Sequence, residues 1–200
     1  MEKDNYITIS EKATVELKIQ RSRFIANAYP VNTPDESSKI LNVIRKEYHD
    51  AKHHPFSFVL FEKDNFRYND DGEPSGSSGK PIYDAINKYN LKNVLVVVTR
   101  YFGGIKLGVG GLKRAYSDAA DECLKICSTK EVILKEKTSL KFSYSHISAV
   151  MNYLEKNKIH ISENNSSEAV ILVCEVRLSD ADNFKSDITE ITNGTAEIYQ

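Results

Sequence analysis

The sequence predicts an α+β protein of two domains, and three observations carry that prediction. Asn93 to Thr99, NVLVVVT, is almost wholly β-branched and apolar, the signature of a central strand covered on both faces. Eight of the nine glycines lie between Gly72 and Gly111, on either side of that strand, so two glycine-rich loops flank one buried element. From Lys137 onward glycine vanishes until Gly194, and the apolar pattern falls into the order β-α-β-β-α-β, the ferredoxin-like arrangement. A chain of 200 residues is long enough for each half to bury its own core, with the division placed at 1–134 and 135–200.

Taken in order, Thr14 to Ile19 and Arg23 to Val31 have strand length and pattern and predict an amino-terminal pair of strands. A helix follows, because Thr33 is a capping residue, Pro34 suits the first helical position and Glu36 completes a capping box. Ile40, Leu41, Ile44 and Tyr48 then share one face. Pro55 to Phe61 reads as the next strand, and the polar loop Asp70 to Lys80 leads into a helix with Pro81 in its first turn and Ile82, Ala85, Ile86 and Tyr89 on its apolar side. After the central strand, RYFGGIKLGVGG (Arg100 to Gly111) is a loop, and a helix runs from Leu112 to about Cys127. A strand from Glu131 to Leu134 closes the first domain. In the second, Thr138 to Tyr144, Ile159 to Glu163, Ala169 to Leu178 and Thr195 to Tyr199 are strands, with helices at Ile147 to Lys156 and Asp182 to Ile191.

Composition narrows the function classes. Forty per cent hydrophobic and 28 per cent charged residues describe a folded globular chain. The net charge of −1 excludes a bulk polycation, so an anionic partner must be met by a local patch. No apolar run approaches the roughly 18 residues that cross a bilayer, and MEKDNYITIS lacks a signal peptide's basic and apolar regions; the expectation is a cytoplasmic protein with no membrane partner. Three cysteines, Cys123, Cys127 and Cys174, read as buried reduced thiols, and without a CxxC or HxxxH pair no zinc site is expected. The second domain carries seven basic and ten acidic residues from Lys135 on, which does not favour electrostatic RNA binding there.

The chemistry is concentrated in the two loops. The second joins a buried strand to a helix amino terminus, where free N–H groups and the helix dipole attract anions. Its charged residues, Arg100, Lys106, Lys113 and Arg114, are all basic, and Gly103, Gly104, Gly108, Gly110 and Gly111 leave its backbone bare. That combination suits a phosphate. In the first loop, DDGEPSGSSGK, the carboxylates Asp70, Asp71 and Glu73 have the chemistry either to hold a divalent cation or to pair with the basic loop, and Ser75, Ser77 and Ser78 offer hydroxyls. Neither loop is a Walker A sequence, and the dinucleotide fingerprint lacks its third glycine, so no nucleotide cofactor is expected. His53 and His54 enter a strand near the loops, as proton-handling groups or as hydrogen-bonded structural ones. Tyr101 and Phe102 fit either base stacking or core packing at a strand end.

Read together, DDGEPSGSSGKP (Asp70 to Pro81) and TRYFGGIKLGVGGLKRAY (Thr99 to Tyr116) resemble the two signature segments of the Impact family, also called the YigZ family, of translational regulators. The resemblance spans roughly Arg21 to Ala120, and the carboxy-terminal module matches the usual bacterial architecture. It implies an amino-terminal domain similar to the second domain of a small-subunit ribosomal protein, and a carboxy-terminal domain similar to the last modules of elongation factor G. It also implies functional positions at Asp70, Asp71, Gly72, Glu73 and Pro74, at Arg100, Tyr101, Gly103, Gly104, Lys106, Gly108, Gly110 and Gly111, and at His53. Two departures count: Pro55 stands where the family commonly has cysteine, and Ser77 and Ser78 where it has threonine and alanine. An anion site made by backbone, Arg and Lys survives both changes, whereas a thiol mechanism does not.

Three functions follow as expectations. The first is a translation-associated protein that holds RNA or ribosomal phosphate at Arg100, Lys106, Lys113 and Arg114. The second is an enzyme on a phosphorylated or nucleotide substrate, with Asp70, Asp71 and Glu73 on a metal and His53 or His54 moving protons. The third is an interaction module for a translation-regulator protein.

Overall fold

The computed structural model describes residues 4–62 and 65–199. The chain divides into two compact units, one from Tyr6 to Val132, the other from Ile133 onward together with Asp4 and Asn5.

The first unit begins with β1 (Asn5–Ile9), which pairs with β7 (Thr129–Ile133) as a separate two-stranded ribbon. The main sheet has five strands in the order β2-β3-β6-β4-β5, formed by β2 (Ala13–Ile19), β3 (Ser22–Pro30), β4 (Phe56–Val59), β5 (Phe66–Asn69) and β6 (Val94–Tyr101). Every neighbouring pair is antiparallel. β6 sits at the centre, as its unbroken apolar run requires, and its alternate residues serve two cores. Val94, Val96 and Val98 join Ile82 and Ile86 of α2 (Gly79–Lys88) and Leu112, Ala115 and Tyr116 of α3 (Gly108–Lys125). Leu95 and Val97 face the other way and pack with Phe56, Phe58 and with Leu41 and Ile44 of α1 (Pro34–Glu47). α1 starts as its capping residues dictate: Thr33 Oγ1 accepts the Glu36 N–H at 3.1 Å. The Glu36 carboxylate reaches back to the Asn32 N–H at 2.6 Å, one residue further than the usual box.

The second unit contains β8 (Lys135–Phe142), α4 (Ile147–Lys156), β9 (His160–Asn164), β10 (Val170–Arg177), α5 (Ala181–Ile191) and β11 (Glu197–Tyr199). The sheet order β11-β8-β10-β9 is that of a ferredoxin-like fold, and Leu140, Leu172, Cys174, Phe184 and Ile188 form its core. Charges on its strands pair across the sheet, Lys141 with Glu197 at 2.8 Å and Lys135 with Glu175 at 3.4 Å. All three cysteines are free; Cys123 and Cys174 are buried and Cys127 half-buried.

Three elements differ from the sequence expectation. β1 and β5 are strands that periodicity did not reveal, since β5 is exposed at all four residues and is held at the sheet edge by pairing with β4 and by tilted packing of Phe66 on Tyr83, 4.8 Å between centroids. The strand expected at 131–134 is observed at Thr129–Ile133, paired with β1. α3 begins at Gly108, so Gly108 to Gly111 are its first turn and not loop. Burial of Leu112, Ala115 and Tyr116 propagates the helix backward through residues of poor helical propensity.

One glycine is demanded by packing. A Cβ on Gly103 would lie 2.1 Å from the backbone carbon and oxygen of Arg21, in the β2–β3 turn, where the Gly103 N–H also donates to Ser22 Oγ at 3.2 Å. Gly103→Ala is therefore expected to destabilise the first unit by about 1–3 kcal/mol or more, read as a lower urea midpoint, because rigid backbone must shift to admit the methyl group.

Candidate functional site

The acidic loop between β5 and α2 is turned toward its own chain. The Asp70 carboxylate accepts the N–H groups of Gly76 at 2.8 Å, Ser78 at 3.0 Å and Gly79 at 2.8 Å, and the Ser78 hydroxyl at 2.8 Å. It thus caps α2 from nine residues upstream, a task the Ser78 side chain leaves undone. Partial burial pushes the Asp70 carboxyl upward, and the hydrogen bonds outweigh it, so the group titrates below the ordinary range. Asp71, in the left-handed region at φ 46°, splits its oxygens between Arg45 Nη2 at 2.6 Å and the His54 N–H at 2.7 Å. Glu73 is buried, with Oε1 accepting from Arg100 Nη1 and from the Tyr116 hydroxyl, both at 2.7 Å.

These partners correct two sequence expectations. Asp70, Asp71 and Glu73 do not converge, and among the described residues no group of three His, Cys, Asp or Glu side chains is placed to hold a metal ion. Arg100 does not stand in solvent; it is 8 % exposed and pairs with Glu73. Its guanidinium lies between the rings of Phe24 and Phe102, 5.6 and 5.5 Å from their centroids. Burial above all, with the Glu73 charge adding, keeps the Tyr116 phenol protonated as a donor.

Beside this buried pair opens a hollow of 660 Å³. The segment before β4 contributes Lys52 and His53, the acidic loop Glu73 and Pro74, the end of β6 Arg100 and Phe102, and the entrance of α3 Lys106, Gly108 and Val109. Lys52 and Lys106 are exposed and have no ion pair among the described residues. α3 opens without a side-chain cap, and Gly108, Val109 and Gly110 are exposed, so the first-turn N–H groups meet solvent. Gly104 and Gly108 have φ of 86° and 69°, a conformation that favours glycine. Lys113 and Arg114 lie exposed one turn beyond Val109 and Gly110 on the same helix, and do not line the hollow. Gly111 sits behind them against Leu107. Ser75 is exposed, while Ser77 is buried with its hydroxyl unpartnered.

The two histidines separate in role. His53 Nδ1 lies 2.8 Å from the Asp71 carbonyl, an acceptor only, so Nδ1 carries a proton and donates it there. His54 is 5 % exposed, with Nε2 on the Tyr48 carbonyl at 3.2 Å. Burial pushes its imidazole below the ordinary value. The aromatic pair separates as well. The Tyr101 hydroxyl donates to Asp50 at 2.6 Å, which together with burial pushes the phenol up to about 12. Phe102 is 57 % exposed. Sequence reasoning missed Lys52 and Val109; Lys52 was findable as a cation adjoining His53, whereas nothing local marks an exposed valine.

Fold and site together define a two-unit α+β protein with a hollow beside a glycine-rich helix entrance. Residues 20–124 match the family described as the Impact N-terminal domain, and residues 140–195 match a domain of unknown function, DUF1949. The chain belongs to the Impact family. It is 35 % identical to the IMPACT family member YvyE of Bacillus subtilis over 98 % of this chain and 91 % of that one. It is 24 % identical to YigZ of Escherichia coli over 98 % and 97 %. Protein IMPACT of Homo sapiens is 26 % identical over 59 % of this chain and 42 % of its own length. A crystal structure of a hypothetical protein superposes with a TM-score of 0.70 at 24 % identity, covering 98 % of this chain and 97 % of that one, which supports the fold.

Two outcomes follow. Glu73→Ala leaves the Arg100 charge buried and uncompensated and is expected to lower stability by about 3–5 kcal/mol, while Tyr116→Phe, removing one bond to a charged acceptor, lowers it by about 1.5–3 kcal/mol; chemical denaturation measures both. For His54, acidification through the ordinary imidazole value of about 6.5 protonates the unfolded chain while the native imidazole stays neutral. The unfolded state then binds more protons, so stability falls as pH falls, and urea midpoints in His54→Asn should lose that part of the pH slope.

Proposed function

We propose that this protein binds phosphate-bearing nucleic acid, RNA or ribosomal RNA, through the hollow at the entrance of α3, as a cytoplasmic translation-associated regulator. The observation that carries the reading is the charge balance around the hollow. Glu73 neutralises Arg100, yet among the described residues Lys52 and Lys106 have no ion pair at its edge, beside open first-turn N–H groups. Exposed Lys113 and Arg114 continue the positive track along α3. Fixed N–H dipoles with mobile lysines form the usual surroundings of a bound phosphate. Membership of the Impact family supports the role in translation that the sequence resemblance implies. No described helix is long and apolar enough to cross a membrane.

The enzyme alternative is less well supported, because each acidic-loop carboxylate is engaged by its own chain. An RNA-binding protein of this kind should lose affinity as salt rises, with log K linear in log salt. Lys106→Glu and Arg114→Glu are expected to weaken binding and to flatten that slope by about one unit for each phosphate released, with urea midpoints unchanged. Binding indifferent to both charge reversals would overturn the reading.

A further inference from the structure

We infer that the hollow is a pocket for one unpaired nucleotide, its base against Phe102 and Val109 and its phosphate at the first turn of α3, so that the partner is single-stranded RNA and not a duplex. The inference rests on the proposed nucleic-acid reading and goes beyond it in naming the unit recognised.

The chemistry of the walls points to a base as well as a phosphate. A surface that only attracts a phosphate backbone needs exposed cations and no apolar lining. Here Ala51, Pro74, Phe102, Leu107, Val109 and Leu112 line a concavity whose 660 Å³ falls within the range of about 300–1,000 Å³ for small-molecule sites. A double helix keeps its bases stacked inside and would reach only the rim. A splayed nucleotide brings both a π-face and a phosphate, the two surfaces the hollow offers.

Phe102 is placed to stack. It is 57 % exposed, and the Arg100 guanidinium 5.5 Å from its centroid holds it against the rest of the fold. Val109, 50 % exposed, stands in the first turn of α3, next to the phosphate position. Arg100 supplies an independent sign of a missing acceptor. Its residue is 8 % exposed and lines the hollow, yet among the described residues its guanidinium finds only Glu73, through Nη1, and Nε is buried without any partner. Buried guanidinium donors are ordinarily satisfied, and an acceptor entering the hollow, whether phosphate oxygen or base carbonyl, would meet this side chain.

The test measures fluorescence anisotropy of a labelled single-stranded oligouridylate on the full-length protein, with AMP, UMP, inorganic phosphate, an acidic phosphate-free peptide and a blunt RNA duplex as competitors. The mononucleotides are expected to displace the oligomer at concentrations about tenfold below those needed for inorganic phosphate, the margin of one stacked base. Val109→Trp fills the hollow without changing its charge and should abolish mononucleotide competition; Phe102→Ala, at an exposed ring, should weaken oligomer binding about tenfold with the thermal midpoint unchanged. Equal binding of duplex and single strand, retained in Val109→Trp and Phe102→Ala but abolished in Lys106→Glu, overturns the pocket and leaves the phosphate grip standing. Displacement by the acidic peptide but not by mononucleotides also overturns it, assigning the hollow to a protein segment. Absence of salt-dependent RNA binding removes both readings together.

Discussion

The buried contact of Glu73 with Arg100 and Tyr116 is the constraint on which the site depends. It joins the acidic loop, the end of the central strand and the middle of α3 at one carboxylate oxygen. A charge pair with side chains 3 % and 9 % exposed is a weak source of net stability, because desolvation offsets most of the attraction. Its contribution is specificity of position. Through Glu73 the loop is tied to both Arg100 and Tyr116, so the three elements are held to one another at one carboxylate. Asp70 completes the arrangement by capping α2, and Asp71 ties the same loop to α1 through Arg45 and to the segment before β4 through His54.

This pairing also shapes the electrostatics that remain. With Glu73 consumed, the hollow presents no uncompensated carboxylate from the acidic loop, while Lys52 and Lys106 have no ion pair among the described residues. Asp50 is engaged by the Tyr101 hydroxyl. An overall charge of −1 is therefore compatible with a locally positive entrance, because the acidic residues are spent in hydrogen bonds at defined places. His53 belongs to the same frame: its Nδ1–H is committed to the Asp71 carbonyl, which fixes the ring and leaves Nε2 as the group able to meet a ligand.

How much of this was legible depended on the range of the interaction. β6 announced itself through Val94 to Thr99, apolar but for Thr99 and β-branched but for Leu95, and α1 through Thr33, Pro34 and Glu36, all signals held within a few positions. The carboxy-terminal order was readable for the same reason. β5 was not, because its stability lies in pairing with β4 and in the packing of Phe66 and Tyr68 on Tyr83. Nor was the entrance of α3, where burial of Leu112 and Tyr116 overrides the low propensity of four residues that include three glycines. At the site, residue types left two readings of the acidic loop open, a divalent cation or pairing with the basic loop, and the pairing occurs at Glu73 and Arg100. Which carboxylate would be internal, and which cation would stay free, turned on hydrogen bonds between residues 27 and 43 positions apart that no local pattern encodes.

The glycines sharpen the distinction between what the fold requires and what it merely permits. Gly103 is forced by the backbone of Arg21, and Gly108 by its positive φ. Gly110 is neither: its φ is ordinary, nothing lies within 4 Å of where its Cβ would be, and it occupies a helical position. Relative to alanine, a helical glycine sacrifices about 0.5–1 kcal/mol, so packing and conformation both argue for a side chain there. On the proposed reading, the bare backbone at Gly110 serves a phosphate that approaches the first-turn amides more closely than a methyl would allow.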